Sequence, residues 1–226
     1  MRKKMMKIGL GLLLLPLCLG FTWQLGASIF TIPYRADLPY YFVGGSLSYL
    51  TVHFLFKKPI LAYVFGHELT HALFALLFGG SVKAFHATER GGQVTVTKTN
   101  FVITLAPYFF PLYASIAILL YIIFAAAGVP GAARPLVFLS GAAFAFHLVL
   151  TFVFLQADQK DIREQGAFFS YPLIYLFNLL FGALLLHLLL AQKNGFLEYL
   201  GNGIIRSVGI CSILIANVYD FIASRI

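Results

Sequence analysis

The chain alternates long apolar runs with short polar breaks. Residues 8–34 carry no charge and predict a first membrane-spanning helix behind the basic start of Arg2, Lys3, Lys4 and Lys7. The run exceeds the roughly 7–15 apolar residues of a signal-peptide core, so it is expected to remain as an uncleaved helix. Pro33, Arg35, Asp37 and Pro39 mark a turn. Residues 40–56 are charge-free but short, with Gly44 and Gly45 inside. They read as a crossing or as an interfacial or re-entrant piece, the second being preferred. Residues 59–79 form the next helix, opened by Pro59 and closed by Gly79 and Gly80.

The period then changes. After Gly91 and Gly92, Val94 and Val96 alternate with Thr95 and Thr97, predicting a short strand from Gln93 to Thr99. It is the only β-like piece expected in the chain. Residues 101–128 form a span kinked by Pro107 and Pro111. Two further spans, 135–157 and 167–191, flank a charged cluster from Asp158 to Glu164. Residues 203–223 are apolar but interrupted by Arg206 and Asp220, so they cross the membrane or lie in its interface.

Composition fixes the solvent. The 226 residues are 60% hydrophobic and 11% charged, against about a quarter charged in soluble domains. The expected fold is an all-α polytopic membrane protein, a bundle of about 5–7 transmembrane helices with a short β-hairpin-like re-entrant segment. One membrane-embedded domain is expected over 1–226. Its catalytic core spans about 59–191, with a peripheral N-terminal helix at 8–34 and a C-terminal helix at 203–223. The net charge of +8 is spread over short flanks. That pattern suits orientation and lipid headgroups, with no nucleic-acid partner. Cys18 and Cys211 read as buried free thiols. Counting Lys and Arg places the N-terminus in the cytoplasm, the protein most simply in a cell (inner) membrane, and the functional site nearer the cytoplasmic side. With 40–56 not crossing, the 59–79 helix runs from outside to inside.

The candidate chemistry sits in that helix. Between Lys58 and Lys83 the only formal charge is Glu68, inside the pentad His67, Glu68, Leu69, Thr70, His71. A carboxylate at the centre of a membrane helix costs roughly 2.5–3.5 kcal/mol on insertion scales, so such residues are seldom incidental. Four residues apart, the two imidazoles project from one face about 6 Å apart along the axis. They can share one Zn²⁺, with Glu68 as the general base of a hydrolysis. A catalytic zinc needs a third protein ligand. The candidates are Asp158, Asp161, Glu164, His86, Glu89, His147 and Glu198. A carboxylate at the mouth of a span can bend inward without stranding a charge, which favours Asp158 and Asp161.

Residues Gly66 to Ala72 in an apolar helix, then Gly79 and Gly80, a short β-like hairpin, an apolar span and a later aspartate together resemble the site-2 protease family of intramembrane zinc metalloproteases. The likeness covers roughly 59–180 and is greatest to the compact branch without an inserted peptide-binding domain. It implies His67 and His71 as ligands, Glu68 as base, one Zn²⁺ per chain and a membrane-protein or peptide substrate. The family's usual Leu-Asp-Gly is absent. The stretch Gln159, Lys160, Asp161, Ile162 with Gly166 following is closer to compact members than Gln156, Ala157, Asp158, so Asp161 is the preferred third ligand and Asp158 the second choice. Val94 and Val96 are expected to pair with unwound substrate by strand addition, and Asn178 to orient substrate. A regulatory membrane partner is an open expectation.

Competing readings are a surface-acting zinc protease with Glu164 or Glu198 as third ligand, and an inactive scaffold or metal-binding protein that keeps the motif. The intact Glu68 disfavours the scaffold, because zinc binding alone needs no base there. The bland readings are packing for His147, a hairpin surface for His86, and interfacial positions for His53, His187 and Tyr108.

Overall fold

The structure is a computed structural model and describes residues 2–156 and 159–225. Asp158 lies outside the described residues. Among the described residues the fold is all-α apart from one two-stranded hairpin and an isolated bridge between Tyr34 and Ala191. Its helices are α1 (Arg2–Thr31), α2 (Leu38–Leu55), α3 (Ile60–Leu77), α4 (Phe101–Phe109), α5 (Leu112–Ala126), α6 (Ala133–Leu155), α7 (Lys160–Gln165), α8 (Ala167–Leu185) and α9 (Phe196–Ala223). The strands are β1 (Val82–Thr88) and β2 (Gly91–Val96). Among the described residues, five helices are long and apolar enough to cross a membrane, or six spans if the bent pair α4–α5 counts as one. The chain divides into two compact units, Arg35–Gln165 and a second made of Met1–Tyr34 with Gly166–Ile226.

In the Arg35–Gln165 unit, α2 is one continuous helix that is not among those long and apolar enough to cross a membrane. Gly44 and Gly45 do not break it, because they serve packing. A Cβ at Gly45 would run into the carbonyl oxygen of Phe138, and one at Gly141 into that of Phe42. The two helices therefore touch backbone to backbone, as small residues allow in membranes. Ser46 Oγ donates to the Gly141 carbonyl at 3.1 Å. At the start of both helices Arg134 Nε meets Asp37 Oδ2 at 2.7 Å, and further along Tyr49 packs edge-on against Phe146. The register from Asp37/Arg134 to Tyr49/Phe146 makes α2 and α6 parallel.

Helix α3 ends as its glycines dictate. Gly79 takes φ +72°, Gly80 N donates to Ala75 O at 2.8 Å and Gly79 N to Leu76 O at 2.9 Å, the paired bonds of a left-handed C-terminal cap. The chain then turns back as a hairpin with β1 antiparallel to β2. Strand β1 escapes a reading from its own residues, because it lacks an alternating apolar pattern: its first five side chains are all exposed. Strand β2 starts at Gly91 and ends at Val96, earlier than the expected Gln93–Thr99. The expected kink falls between α4 and α5, which meet at 74° across Phe110 and Pro111.

In the other unit α1 packs on α8 and α9. Phe21, Leu176, Ala183 and Tyr199 form its buried core. Helix α9 starts seven residues before the expected 203 and runs unbroken past Arg206 and Asp220. A π-helical turn, Leu186–Leu190, ends α8.

Candidate metal centre

Helix α3 presents both imidazoles to α7, which carries Asp161. Oδ2 of Asp161 lies 3.6 Å from His67 Nε2 and 3.5 Å from His71 Nε2. One ligand atom from each of the three residues lies within 4.8 Å of the others. Zinc bonds of 2.0–2.2 Å at tetrahedral angles put neighbouring ligand atoms about 3.4 Å apart. The two His–Asp separations already match that spacing, and two imidazoles with a carboxylate are a catalytic zinc donor set, so the residues fit the ion.

Two of these three side chains, His71 and Asp161, are held by further groups. His71 Nδ1–H donates to the Ile103 carbonyl at 2.8 Å, which turns Nε2 and its lone pair toward Asp161. In α4 that carbonyl would accept from the backbone of residue 107, four positions on, but Pro107 has no N–H. The proline thus frees the acceptor that His71 uses. Asn100 fixes the helix start by accepting from Ile103 N at 2.9 Å. Tyr108, expected at an interface, is fully buried; its hydroxyl donates to Asp161 Oδ2 at 3.1 Å. Burial pushes the Asp161 carboxyl up, but the His67 and His71 imidazoles facing it outweigh that and hold the group well below the usual carboxylate range. His67 Nδ1 is buried with no partner among the described residues. His67 also borders a cavity of about 20 Å³ shared with His147, room for one water.

Glu68 projects beside the ligands and is 8% exposed. The hairpin lies directly against it. A Cβ at Gly92 would come within 2.5 Å of Glu68 Cγ, so only glycine lets β2 approach this closely. The Val94 backbone amide approaches the Glu68 carboxylate. A cavity of about 370 Å³ is lined by His67, Glu68, His71, Asp161, Gly92, Val94 and Val96, with Glu164 also at its wall.

The other expected residues lie elsewhere. Asn178 is in the other unit, where its amide donates to the Ile174 carbonyl at 2.9 Å. Glu89 pairs with Lys57 at 2.9 Å on the hairpin tip, and His86 is exposed on β1. His53 and His187, expected at interfaces, are buried. His53 Nδ1 is 3.2 Å from the Tyr49 hydroxyl.

Residues 45–156 match a family model described as Peptidase M50B-like. The match spans the pentad and the hairpin and stops short of Asp161. No curated protein and no solved structure matches the chain.

Proposed function

The chain belongs to the site-2 protease family, and from that premise we propose that it is a zinc-dependent intramembrane endopeptidase acting on membrane-protein substrates. The observation that carries the reading is the convergence of His67, His71 and Asp161 at zinc-ligand spacing with Glu68 beside them. His67, His71 and Asp161 would hold one Zn²⁺, which supplies Lewis acidity and lowers the pKa of water. Glu68 accepts the proton of the attacking water and returns it to the leaving amine. Its burial beside Gly92 keeps the carboxylate aimed into the cavity.

Substrate enters as an extended segment along β2, pairing with the strand edge that β1 does not occupy. Support comes from the Val94 amide and the Val94 and Val96 side chains at the cavity wall. A helix would hide its scissile carbonyl in its own hydrogen bonds, whereas an added strand exposes it.

The N-terminus is cytoplasmic in this reading. Helix α2 is not among the helices apolar enough to cross on its own, but its parallel packing along α6 favours a crossing, so the α2–α3 loop returns to the cytoplasmic side. The Lys57–Glu89 pair joins the hairpin tip to that loop, and α7 reaches the metal ligands at the same end. The site is then nearer the cytoplasm, and α3 runs from inside to outside, opposite to the direction the sequence favoured.

The test is cleavage of a tagged single-pass membrane protein by purified, zinc-loaded protein in liposomes, wild type against Glu68→Gln. Cleavage by the wild type with none by a zinc-retaining Glu68→Gln protein is expected. Equal cleavage by both would overturn the role given to Glu68.

A further inference from the structure

Away from the metal centre, the unit formed by α1, α8 and α9 contains a larger cavity of about 630 Å³. Its polar lining includes Gln24, Ser28, His187, Lys193, Glu198 and Arg206. In a chain only 11% charged, three formal charges around one cavity are conspicuous, and none of them forms an ion pair among the described residues.

The lining is built rather than incidental. Arg206 Nε donates to Gln24 Oε1 at 2.7 Å, and its guanidinium lies 5.2 Å over the Trp23 ring. Gln24 is 8% exposed and is tied to Ser28 by Nε2–H to Oγ at 3.4 Å. The guanidinium is thus held by its Nε and its face, which leaves the terminal amino groups to meet a ligand. His187 sits in the π-helical turn, an irregularity common at functional sites. It is 4% exposed, and its Nε2 is buried without a partner among the described residues.

The depth of the cavity points to a lipid. Trp23 is the only tryptophan in the chain, and exposed Trp favours the headgroup level. From Lys4 to Trp23 α1 rises about 29 Å, and from Arg206 to Ala223 α9 rises about 26 Å. Both lengths are near the roughly 30 Å hydrocarbon thickness, so Trp23 and Arg206 stand together at one membrane surface.

We propose that this cavity binds a phosphoryl group joined to a primary ammonium, the headgroup chemistry of phosphatidylethanolamine. Arg206 and Lys193 take the phosphate, as basic pockets between membrane helices do, and Glu198 takes the ammonium. A purely anionic headgroup would leave Glu198 facing like charge.

Trp23 reports on the site, because it is the sole tryptophan and touches Arg206. Full-length protein in maltoside detergent is titrated with dihexanoyl phosphatidylethanolamine, dihexanoyl phosphatidylcholine and free O-phosphoethanolamine while Trp23 emission is followed. A saturable change with the ethanolamine lipid is expected, weakened about tenfold by Lys193→Gln, equivalent to about 1.4 kcal/mol. Glu198→Gln is expected to erase the preference for ethanolamine over choline. Both side chains are exposed, and unchanged circular dichroism checks that the variants fold. Tighter binding of the lipid than of O-phosphoethanolamine assigns the ligand to the bilayer, while equal binding assigns the same site to a water-soluble phosphoester. A response that does not saturate, or one that neither variant alters, overturns the site.

Discussion

His71 donates its Nδ1 proton to the carbonyl of Ile103 at 2.8 Å, an acceptor open to it because Pro107 brings no N–H to that turn of α4. A residue that bends a membrane helix here also releases the backbone group that orients a proposed metal ligand. Pro107→Ala would return an N–H donor to Ile103 and set it in competition with His71. Zinc affinity, measured by chelator competition, is expected to fall about tenfold, at the low end for loss of a ligand's supporting partner. Unchanged affinity would mean that the proline matters only for the bend.

Tyr108 supports Asp161, the proposed third ligand, in the same manner. Tyr108→Phe removes the hydroxyl that donates to Asp161 at 3.1 Å while keeping the ring that packs edge-on against His67. Zinc affinity is expected to drop about tenfold with little change in thermal stability. A large loss of stability with intact zinc binding would make Tyr108 a packing residue.

The hairpin can be tested apart from the metal. Gly92→Ala places a methyl group against Glu68 Cγ and Val64 Cγ1, displacing either the base or the strand. Val94→Pro removes the amide that approaches Glu68. Both variants are expected to keep stoichiometric zinc and lose cleavage. Wild-type cleavage by Val94→Pro would rule out substrate pairing along β2.

Helices α2 and α6 meet through glycine. Gly141→Val must push the helices apart at the Phe42 carbonyl, an overpacking that typically costs about 1–3 kcal/mol. A lower melting temperature in detergent is expected, with Gly44→Ala much milder because its Cβ would meet only the Phe138 ring at 3.8 Å.

These contacts separate what a sequence carries locally from what only folding creates. Helix α3 was legible because its signals are local, with Pro59 at the start, Gly79 and Gly80 at the end and a lone charged residue between. The strand at Val94 and Val96 was legible from alternation, whereas β1 has exposed side chains and no comparable pattern. At α2 the pair Gly44 and Gly45 looks locally like a break, while Gly45 fits the backbone of α6. The links from Pro107 through Ile103 to His71, and from Tyr108 to Asp161, join residues 32 and 53 positions apart. Nothing in the local pattern at Tyr108 distinguishes a buried hydroxyl donor from an interfacial tyrosine.

The central claim is that His67, His71 and Asp161 hold one zinc ion. The most direct measurement is metal stoichiometry by mass spectrometry on folded, detergent-purified wild type, His67→Ala, Asp161→Ala and Glu68→Gln. Near one zinc per chain is expected in the wild type and in Glu68→Gln, with loss in both ligand variants. A wild type without zinc, or an Asp161→Ala protein that keeps it in full, would contradict the account.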